Sequence, residues 1–343
     1  DAHIGSLKGS LKPIFADLKK SSEWRDLKLS TTDADADLPE EMLGGGATAG
    51  GAEAEQPAAE QETATASDSF ADYVPAKLTY GPPHIEHVVE SASLACVSPT
   101  DVTYTTLLPA EVLSSGVLSR VQLEAVIYVL QQHEKMLPSR VRAGFFIGDG
   151  TGVGKGRELA AIIWENWLRG RRRAVWFTCN TDLTVDARRD LDDIGARHIG
   201  LQSLTALSYD PIAESFDEGV LLVTYSCLVA KQGKAKATER SRVEQLQEWL
   251  DGRRFDGVLA FDEAHKAKGA AHNQPVGKTV VELQAALPLA RVVYLSATGA
   301  THVQDMSYMT RLGLWGPGTY FSTFPAIEQA RRDRVEMRPR SAP

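Results

Sequence analysis

Three charged side chains in this sequence have the chemistry to bind a nucleoside triphosphate and to cleave its terminal phosphate. Lys155 follows a glycine-rich run, whereas Asp262 and Glu263 stand side by side much later in the chain. A lysine ammonium can reach the β- and γ-phosphates as a point charge. One carboxylate can hold Mg²⁺ through water, and a second can polarise the attacking water. These residue types predict ATP and Mg²⁺ as cofactors, with Asp262 as the metal ligand and Glu263 as the group that activates water.

The glycines before Lys155 predict a phosphate-binding loop. Glycines let successive main-chain N–H groups turn toward phosphate oxygens, and a helix that begins after the loop adds its positive N-terminal end. The residues predicted to bind ATP are Gly150, Thr151, Gly152, Val153, Gly154, Lys155, Gly156 and Arg157. The common pattern is G-x-x-x-x-G-K-[ST], but Asp149 occupies the place of its first glycine and Gly156 that of its Ser or Thr. Because the missing hydroxyl normally ligates Mg²⁺, the metal would depend on Asp262, the phosphates and water.

Two further polar segments are predicted to couple the nucleotide to the rest of the molecule. His265 ends the sequence Asp-Glu-Ala-His, in which it would connect the nucleotide to neighbouring motifs. Ser296 and Thr298 belong to a Ser-Ala-Thr sequence, which by itself indicates no more than a capping turn. In third place after a phosphate loop and an Asp-Glu-Ala-His box, this hydroxyl pair is interpreted as the link between hydrolysis and domain motion.

Gln122, upstream of the loop, has two interpretations that the sequence leaves open. A glutamine amide can both donate to and accept from the edge of an adenine, which would make Gln122 part of the ATP site. The alternative is a glutamine on the exposed surface of a helix.

A polar segment after the second predicted strand is the best candidate for contact with a nucleic-acid backbone. Thr178, Asn180 and Thr181 lie in this segment. Hydroxyl and N–H groups at the end of a strand suit contacts with phosphates, so these three residues are predicted to touch nucleic acid.

Short apolar runs that alternate with helical patterns must position these residues. The predicted strands are Gly144–Ile147, Ala174–Thr178, Val220–Thr224, Val258–Phe261 and Val292–Leu295. Helical spacing occurs over residues 118–135, 157–168 and 242–250. This alternation predicts an α/β fold with a parallel sheet covered by helices on both faces. Since the polar segments each follow a strand, we expect one site at the carboxyl edge of the sheet.

Composition divides the chain into regions. The content of 43% hydrophobic and 24% charged residues is that of a soluble globular protein, and no run of about 18 apolar residues predicts a membrane span. Residues 31–72 carry eleven acidic side chains and no Lys or Arg, and are predicted to be a disordered acidic linker. Removing the eleven acidic charges up to residue 72 from the net charge of −8 leaves +3, which permits a nucleic-acid partner. The other predicted regions are a possible upstream tail (1–30), an accessory region (73–138), the ATP-binding lobe (139–327) and an unassigned tail (328–343).

The three cysteines, Cys96, Cys179 and Cys227, are too far apart for a metal site of the usual spacing. Each lies among apolar residues, so all three are predicted to be buried, reduced thiols. A reduced, odd set of cysteines favours a cytoplasmic location. If the protein is bacterial or phage-borne, association with the bacterial nucleoid is expected.

Several of these segments together resemble the strawberry notch family. The resemblance is carried by residues 118–124, 148–157, 176–190, 255–268 and 292–315, and extends over about residues 73–324. Glycine after the loop lysine is itself a habit of that family, as at Gly156. The resemblance implies a RecA-like P-loop NTPase lobe of a superfamily-two, DExH-type helicase, which acts on DNA with ATP and Mg²⁺.

The resemblance also implies a second RecA-like lobe, for which residues 328–343 are too few. We therefore expect that the second lobe is missing, and that the chain alone binds ATP weakly and hydrolyses it slowly, because arginines from the second lobe complete such sites. Two alternatives stay open from the sequence. One is a nucleotide-dependent scaffold or transcription co-regulator without unwinding, and the other is the motor subunit of a restriction or anti-restriction system.

Overall fold

The computed structural model describes residues 70–91, 95–150, 152–230, 241–272, 274–297 and 303–336. The predicted tail 1–30, residues 31–69 of the predicted linker, and residues 337–343 lie outside the described residues. The strands are β1 (Phe70–Asp72), β2 (Val89–Ser91), β3 (Phe145–Ile147), β4 (Arg173–Thr178), β5 (Leu201–Ser203), β6 (Gly219–Thr224), β7 (Val258–Phe261) and β8 (Arg291–Leu295). The α-helices are α1 (Ala110–Ser114), α2 (Arg120–Gln132), α3 (Lys155–Leu168), α4 (Leu183–Asp193), α5 (Ile212–Ser215), α6 (Tyr225–Val229), α7 (Arg242–Trp249), α8 (Pro275–Ala286) and α9 (Phe324–Glu336).

Strands β3 to β8 form one six-stranded sheet in the order β3-β8-β7-β4-β6-β5. All of its paired neighbours run parallel. Alternate side chains of each strand enter two separate cores, so that Val175 and Phe177 pack with α7 and α8 whereas Ala174 and Trp176 pack with α2, α3 and α4. Strands buried on both faces read as continuous apolar runs, which is why the pattern predicted them. The predicted parallel sheet with helices on both faces is confirmed.

All five predicted strands are present, and the sheet has a sixth that the pattern did not predict. This strand, β5, pairs only with β6 at the edge of the sheet. It has three residues, Leu201–Ser203, all of them half-buried, and a single apolar residue in an edge strand leaves no periodicity to detect.

The ordered chain departs from the predicted regions at both ends. Phe70–Asp72, the last three residues of the predicted linker, form β1 and pair antiparallel with β2, so the predicted boundary at residue 72 is too late by at least these three residues. Helix α9 runs across the predicted boundary between residues 327 and 328, with Ile327 buried and Phe324 packed edge-on against Trp315. Part of the predicted tail therefore belongs to the last helix of the lobe.

The prediction of three buried thiols is wrong. All three cysteines are unpaired, but Cys96 and Cys179 are exposed and Cys227 is half-buried. Cys179 directly follows the buried end of β4, where the chain leaves the sheet for solvent, and the apolar neighbours in sequence belong to the strand itself. In the part of the chain that the structure describes, no helix is long and apolar enough to cross a bilayer.

Candidate nucleotide site

The predicted site segments follow four strands that are neighbours in the sheet, β3, β8, β7 and β4. The phosphate loop follows β3, Ser296 follows β8 and Asp262 follows β7, while Thr178 is the last residue of β4. The strands are in register at this edge, since Ile147 pairs with Leu295. Parallel pairing therefore brings the loop, the Ser-Ala-Thr segment and the Asp-Glu-Ala-His segment to one edge, as the sequence predicted.

The phosphate loop turns sharply into α3 at its glycines. Gly152 and Gly154 have φ angles of 94° and 92°, a left-handed conformation that glycine adopts without steric cost. Lys155 is the first residue of α3, and its Nζ donates to the main-chain oxygens of Asp149 at 2.9 Å and Gly150 at 3.0 Å. The ammonium thus lies over the loop, where phosphate oxygens would replace these two carbonyls. Thr151 lies outside the described residues.

Gln122 supports the phosphate loop from α2. It is 4% exposed, so the interpretation as a surface glutamine is wrong. Its Nε2 donates to Val153 O at 2.9 Å and to Gly154 O at 3.3 Å, and its Oε1 accepts from Ser119 N at 2.8 Å. His84 Nε2 lies 3.2 Å from the same Val153 oxygen. The amide holds the loop and the start of α2 together, and its contact with adenine stays a prediction.

Replacement of Gln122 by glutamate is expected to weaken ATP binding about tenfold or more and to lower the free energy of unfolding by about 1–3 kcal/mol. Glutamate keeps the oxygen that accepts from Ser119 N, and Glu at this position of a capping box is favourable. It places a carboxylate against the two loop carbonyls, however, and an unmet or repulsive polar contact of about 1–3 kcal/mol corresponds to about a tenfold loss or more.

Nucleotide titration and urea unfolding of the same variant measure the two quantities separately. The matched control is Gln247→Glu, because Gln247 is a half-buried glutamine on α7. Wild-type affinity in Gln122→Glu would show that the loop does not need this amide.

Asp262 is held in place from three sides at the end of β7. Its Oδ1 accepts from Glu263 N at 2.9 Å, and its Oδ2 lies 3.3 Å from Trp176 Nε1. Its main-chain oxygen accepts from Tyr225 OH at 2.8 Å. Burial raises the pKa of Asp262, and the positive charge of Lys155 acts to lower that pKa. Lys155 and Asp262 follow β3 and β7, so the parallel sheet places both at the edge where the predicted nucleotide site lies.

Glu263, His265 and Ser296 form a chain of contacts between the second and third motifs. His265 Nδ1 lies 3.1 Å from Glu263 Oε2 and 3.0 Å from Ser296 Oγ. Burial lowers the pKa of His265, which favours a neutral ring near pH 7. A ring that carries its proton on Nδ1 would donate to the Glu263 carboxylate, which only accepts hydrogen bonds. The predicted coupling residues His265 and Ser296 are in direct contact, and Thr298 lies outside the described residues.

The other predicted binding residues have mixed placements. The Arg157 guanidinium forms an ion pair of 3.0 Å with Asp193 on α4, and its contact with ATP stays a prediction. Thr178 is fully buried, so its hydroxyl is not on a surface that nucleic acid could touch, and this part of the prediction is wrong. Asn180 and Thr181 are exposed beyond the end of β4, and their contact with a nucleic-acid backbone stays a prediction.

The oxygen ligands at this edge suit Mg²⁺. Among the described residues, no three His, Cys, Asp or Glu side chains come close enough together to hold a metal ion by themselves. Mg²⁺ is commonly held by one or two carboxylates together with substrate phosphates and water. Asp262, a largely buried carboxylate within the field of Lys155, fits that mode of binding.

Sequence reasoning missed the support that Gln122 gives the loop, although a signal for part of it exists. Ser119 and Gln122 stand three residues apart at the start of a helical pattern, which is the spacing of a capping box. That box is present and places Gln122 at the third residue of α2. No sequence signal indicates that the same amide reaches the phosphate loop.

The chain matches one protein-family model and is similar in sequence to several known proteins. Residues 83–337 match the family model described as P-loop containing NTP hydrolase pore-1. Over 273 residues the chain is 48% identical to Protein FORGETTER 1 of Arabidopsis thaliana, covering 77% of this chain and 21% of that protein. Over 268 residues it is 50% identical to Protein strawberry notch homolog 2 of Homo sapiens, covering 78% and 19%. The chain spans about a fifth of the length of these relatives.

Among solved structures, the Sulfolobus solfataricus SWI2/SNF2 ATPase core in complex with dsDNA aligns with 63% of this chain and 42% of its own. The sequence identity is 12% and the TM-score is 0.41.

Proposed function

Because this chain belongs to the P-loop containing NTP hydrolase pore-1 family and is about half identical to strawberry notch proteins, we propose that it is the Mg²⁺-dependent ATP-hydrolysing lobe of a helicase-type protein that acts on DNA. The observation that carries the proposal is the contact of His265 with both Glu263 and Ser296, beside the phosphate loop. In a nucleotide-driven motor, the carboxylate that activates water must be connected to the parts that move. Here the Glu263 carboxylate contacts His265, which contacts Ser296 at the end of the neighbouring strand β8.

Each side chain has one role in the proposed reaction. Lys155 and the loop N–H groups bind the phosphates, and Asp262 would hold Mg²⁺, which supplies charge neutralisation at the phosphate oxygens. The Glu263 side chain is 41% exposed, so water can reach it, and its carboxylate orients that water for attack. When the charge at Glu263 changes, the hydrogen bond from His265 changes with it, and Ser296 passes the change to β8.

Replacement of Lys155 by alanine is expected to weaken binding of ATP with Mg²⁺ by about ten- to one-hundredfold. Hydrogen bonds to charged groups contribute about 1.5–3 kcal/mol, and every 1.4 kcal/mol is about a tenfold change in affinity. Isothermal titration of the chain measures the effect. Lys278→Ala, which removes an exposed lysine paired with Glu282 on α8, is the control. Equal affinities of both variants and the wild type would contradict the proposed site.

The DNA part of the proposal has its own measurement. Hydrolysis of ATP by the full-length protein that contains this lobe is expected to rise when duplex or single-stranded DNA is added. The exposed Asn180 and Thr181 beside the site, together with the positive balance outside the acidic segment, support this expectation. Binding of ATP without any stimulation by DNA would instead favour a nucleotide-dependent scaffold.

A further inference from the structure

A carboxylate occupies the space where a side chain at position 156 would be. An ideal Cβ on Gly156 would lie 1.9 Å from Oδ2 and 2.9 Å from Cγ of Asp190, which is on α4. The φ of Gly156 is outside the left-handed region, so the backbone itself accepts any residue. A Ser or Thr at this position would therefore require the Asp190 carboxylate to move, whereas the conformation of the loop would accept either residue.

The Asp190 carboxylate presents an acceptor that the protein leaves unused. Its side chain is 14% exposed, and Arg189 Nη2 contacts Oδ1 at 3.4 Å. No donor on the residues described by the structure reaches Oδ2, the oxygen nearest Gly156. Burial raises the pKa of Asp190, although Arg189 acts to lower it. Oδ2 is therefore free to accept a ligand at the position beside Gly156.

We propose that Asp190 supplies, directly or through a water molecule, the oxygen ligand for Mg²⁺ that a Ser or Thr hydroxyl supplies in other phosphate loops. This inference rests on the proposed function, because it needs a nucleotide with Mg²⁺ at the loop. Carboxylate oxygens are ligands that Mg²⁺ prefers. The Asp190 side chain on α4 reaches the position that a side chain at residue 156 would occupy.

A carboxylate in place of a hydroxyl changes how nucleotide binding depends on the metal. Without Mg²⁺, the negative charges of Asp190 and Asp262 face the phosphates of the nucleotide and oppose binding. With Mg²⁺, the same charges attract the metal and favour binding. The chain is therefore expected to bind ADP much more tightly with Mg²⁺ than with EDTA, and Asp190 is expected to contribute a large part of that difference.

The experiment measures the dissociation constant of ADP with Mg²⁺ and with EDTA, for the wild type, Asp190→Asn and Asp192→Asn. The ratio of the two constants in Asp190→Asn is expected to fall about tenfold, whereas Asp192→Asn should keep the wild-type ratio. Asp192 is on the same helix, and its side chain is 38% exposed and paired with Arg188. Electron paramagnetic resonance of Mn²⁺ in the presence of ADP gives a second readout, with the metal bound about tenfold more weakly in Asp190→Asn.

A second pair of variants keeps the test decisive if Asp190→Asn fails to fold. Gly156→Ser alone is expected to clash with Asp190 and to lose binding of ADP with Mg²⁺. Gly156→Ser combined with Asp190→Ala is expected to restore that binding, because a hydroxyl then stands where the carboxylate was. An unchanged ratio in Asp190→Asn, or no restoration in the double variant, would overturn the inference while the proposed function stands. Failure of the wild type to bind ADP at all would overturn both.

Discussion

Replacement of Glu263 by glutamine is expected to lower the rate of ATP hydrolysis by about 10²- to 10⁴-fold while ATP stays bound. Glutamine keeps the size of the side chain, but its amide cannot take a proton from the attacking water. The backbone of Glu263 has φ 47° and ψ 48°, a left-handed conformation that is rare for residues other than glycine. Such conformations persist where the surrounding structure imposes them, and they concentrate at functional sites.

The rate is best measured in single turnover, with the chain in excess over labelled ATP, because this separates cleavage from binding. Glu282→Gln removes an exposed carboxylate on α8 that pairs with Lys278, and it should hydrolyse ATP at the wild-type rate. If Glu263→Gln retained the wild-type rate, another group would have to activate the water. The contact of His265 with Glu263 would then be structural, and the proposed motor function would lose its chemical step.

Replacement of Arg311 by alanine is expected to lower the free energy of unfolding by about 2–5 kcal/mol. Arg311 is 1% exposed, yet it carries a guanidinium. That group donates to four main-chain oxygens, those of Arg142, Pro288, Gln284 and Leu287. Two of them belong to the C-terminal end of α8, where a positive charge also complements the helix dipole. Three of these oxygens also accept from main-chain N–H groups, so alanine would remove a second donor from them and leave the Arg142 oxygen without one among the described residues. A buried acceptor without a donor costs about 1–3 kcal/mol, and the cavity left by the side chain adds to the loss.

Urea unfolding monitored by circular dichroism measures the loss for Arg311→Ala. Arg254→Ala is the matched control, because the Arg254 side chain is 83% exposed and pairs only with the exposed Asp251 in the same turn. Surface substitutions of this kind change stability by about 0.5 kcal/mol or less. A midpoint for Arg311→Ala equal to that of the control would mean that water or rearranged main chain replaces the guanidinium.

The position of Arg311 also links stability to the site. Its main-chain oxygen accepts from Gly144 N at 2.8 Å, directly before β3, and the strand leads into the phosphate loop. An ideal Cβ on Gly144 would lie 2.8 Å from Arg311 Cβ, so the two segments are packed as closely as glycine allows. A loss at Arg311 is therefore expected to loosen the base of the strand that carries the loop.

The sheet and the placement of the main motifs could be predicted from the sequence because they depend on local patterns. Strands buried on both faces appear in the sequence as apolar runs, such as Val258–Phe261. The glycines before Lys155 predict a loop whose N–H groups can bind phosphate. Parallel strands must expose their carboxyl ends at one edge, so Lys155, Asp262 and Ser296 had to meet there once the strands were recognised.

Contacts between side chains from different elements were decided only by the tertiary structure. Asp190 meets Gly156 because α4 packs on α3, and Gln122 meets the phosphate loop because α2 packs beside β3. Arg311 is buried because α8 ends above it, and Thr178 is buried because its strand lies in the middle of the sheet. Residue type and spacing along the chain carry no information on these contacts, since each depends on the angle and distance at which two elements pack. The sequence thus determined which strand ends form the site, and packing determined which side chains reach into it.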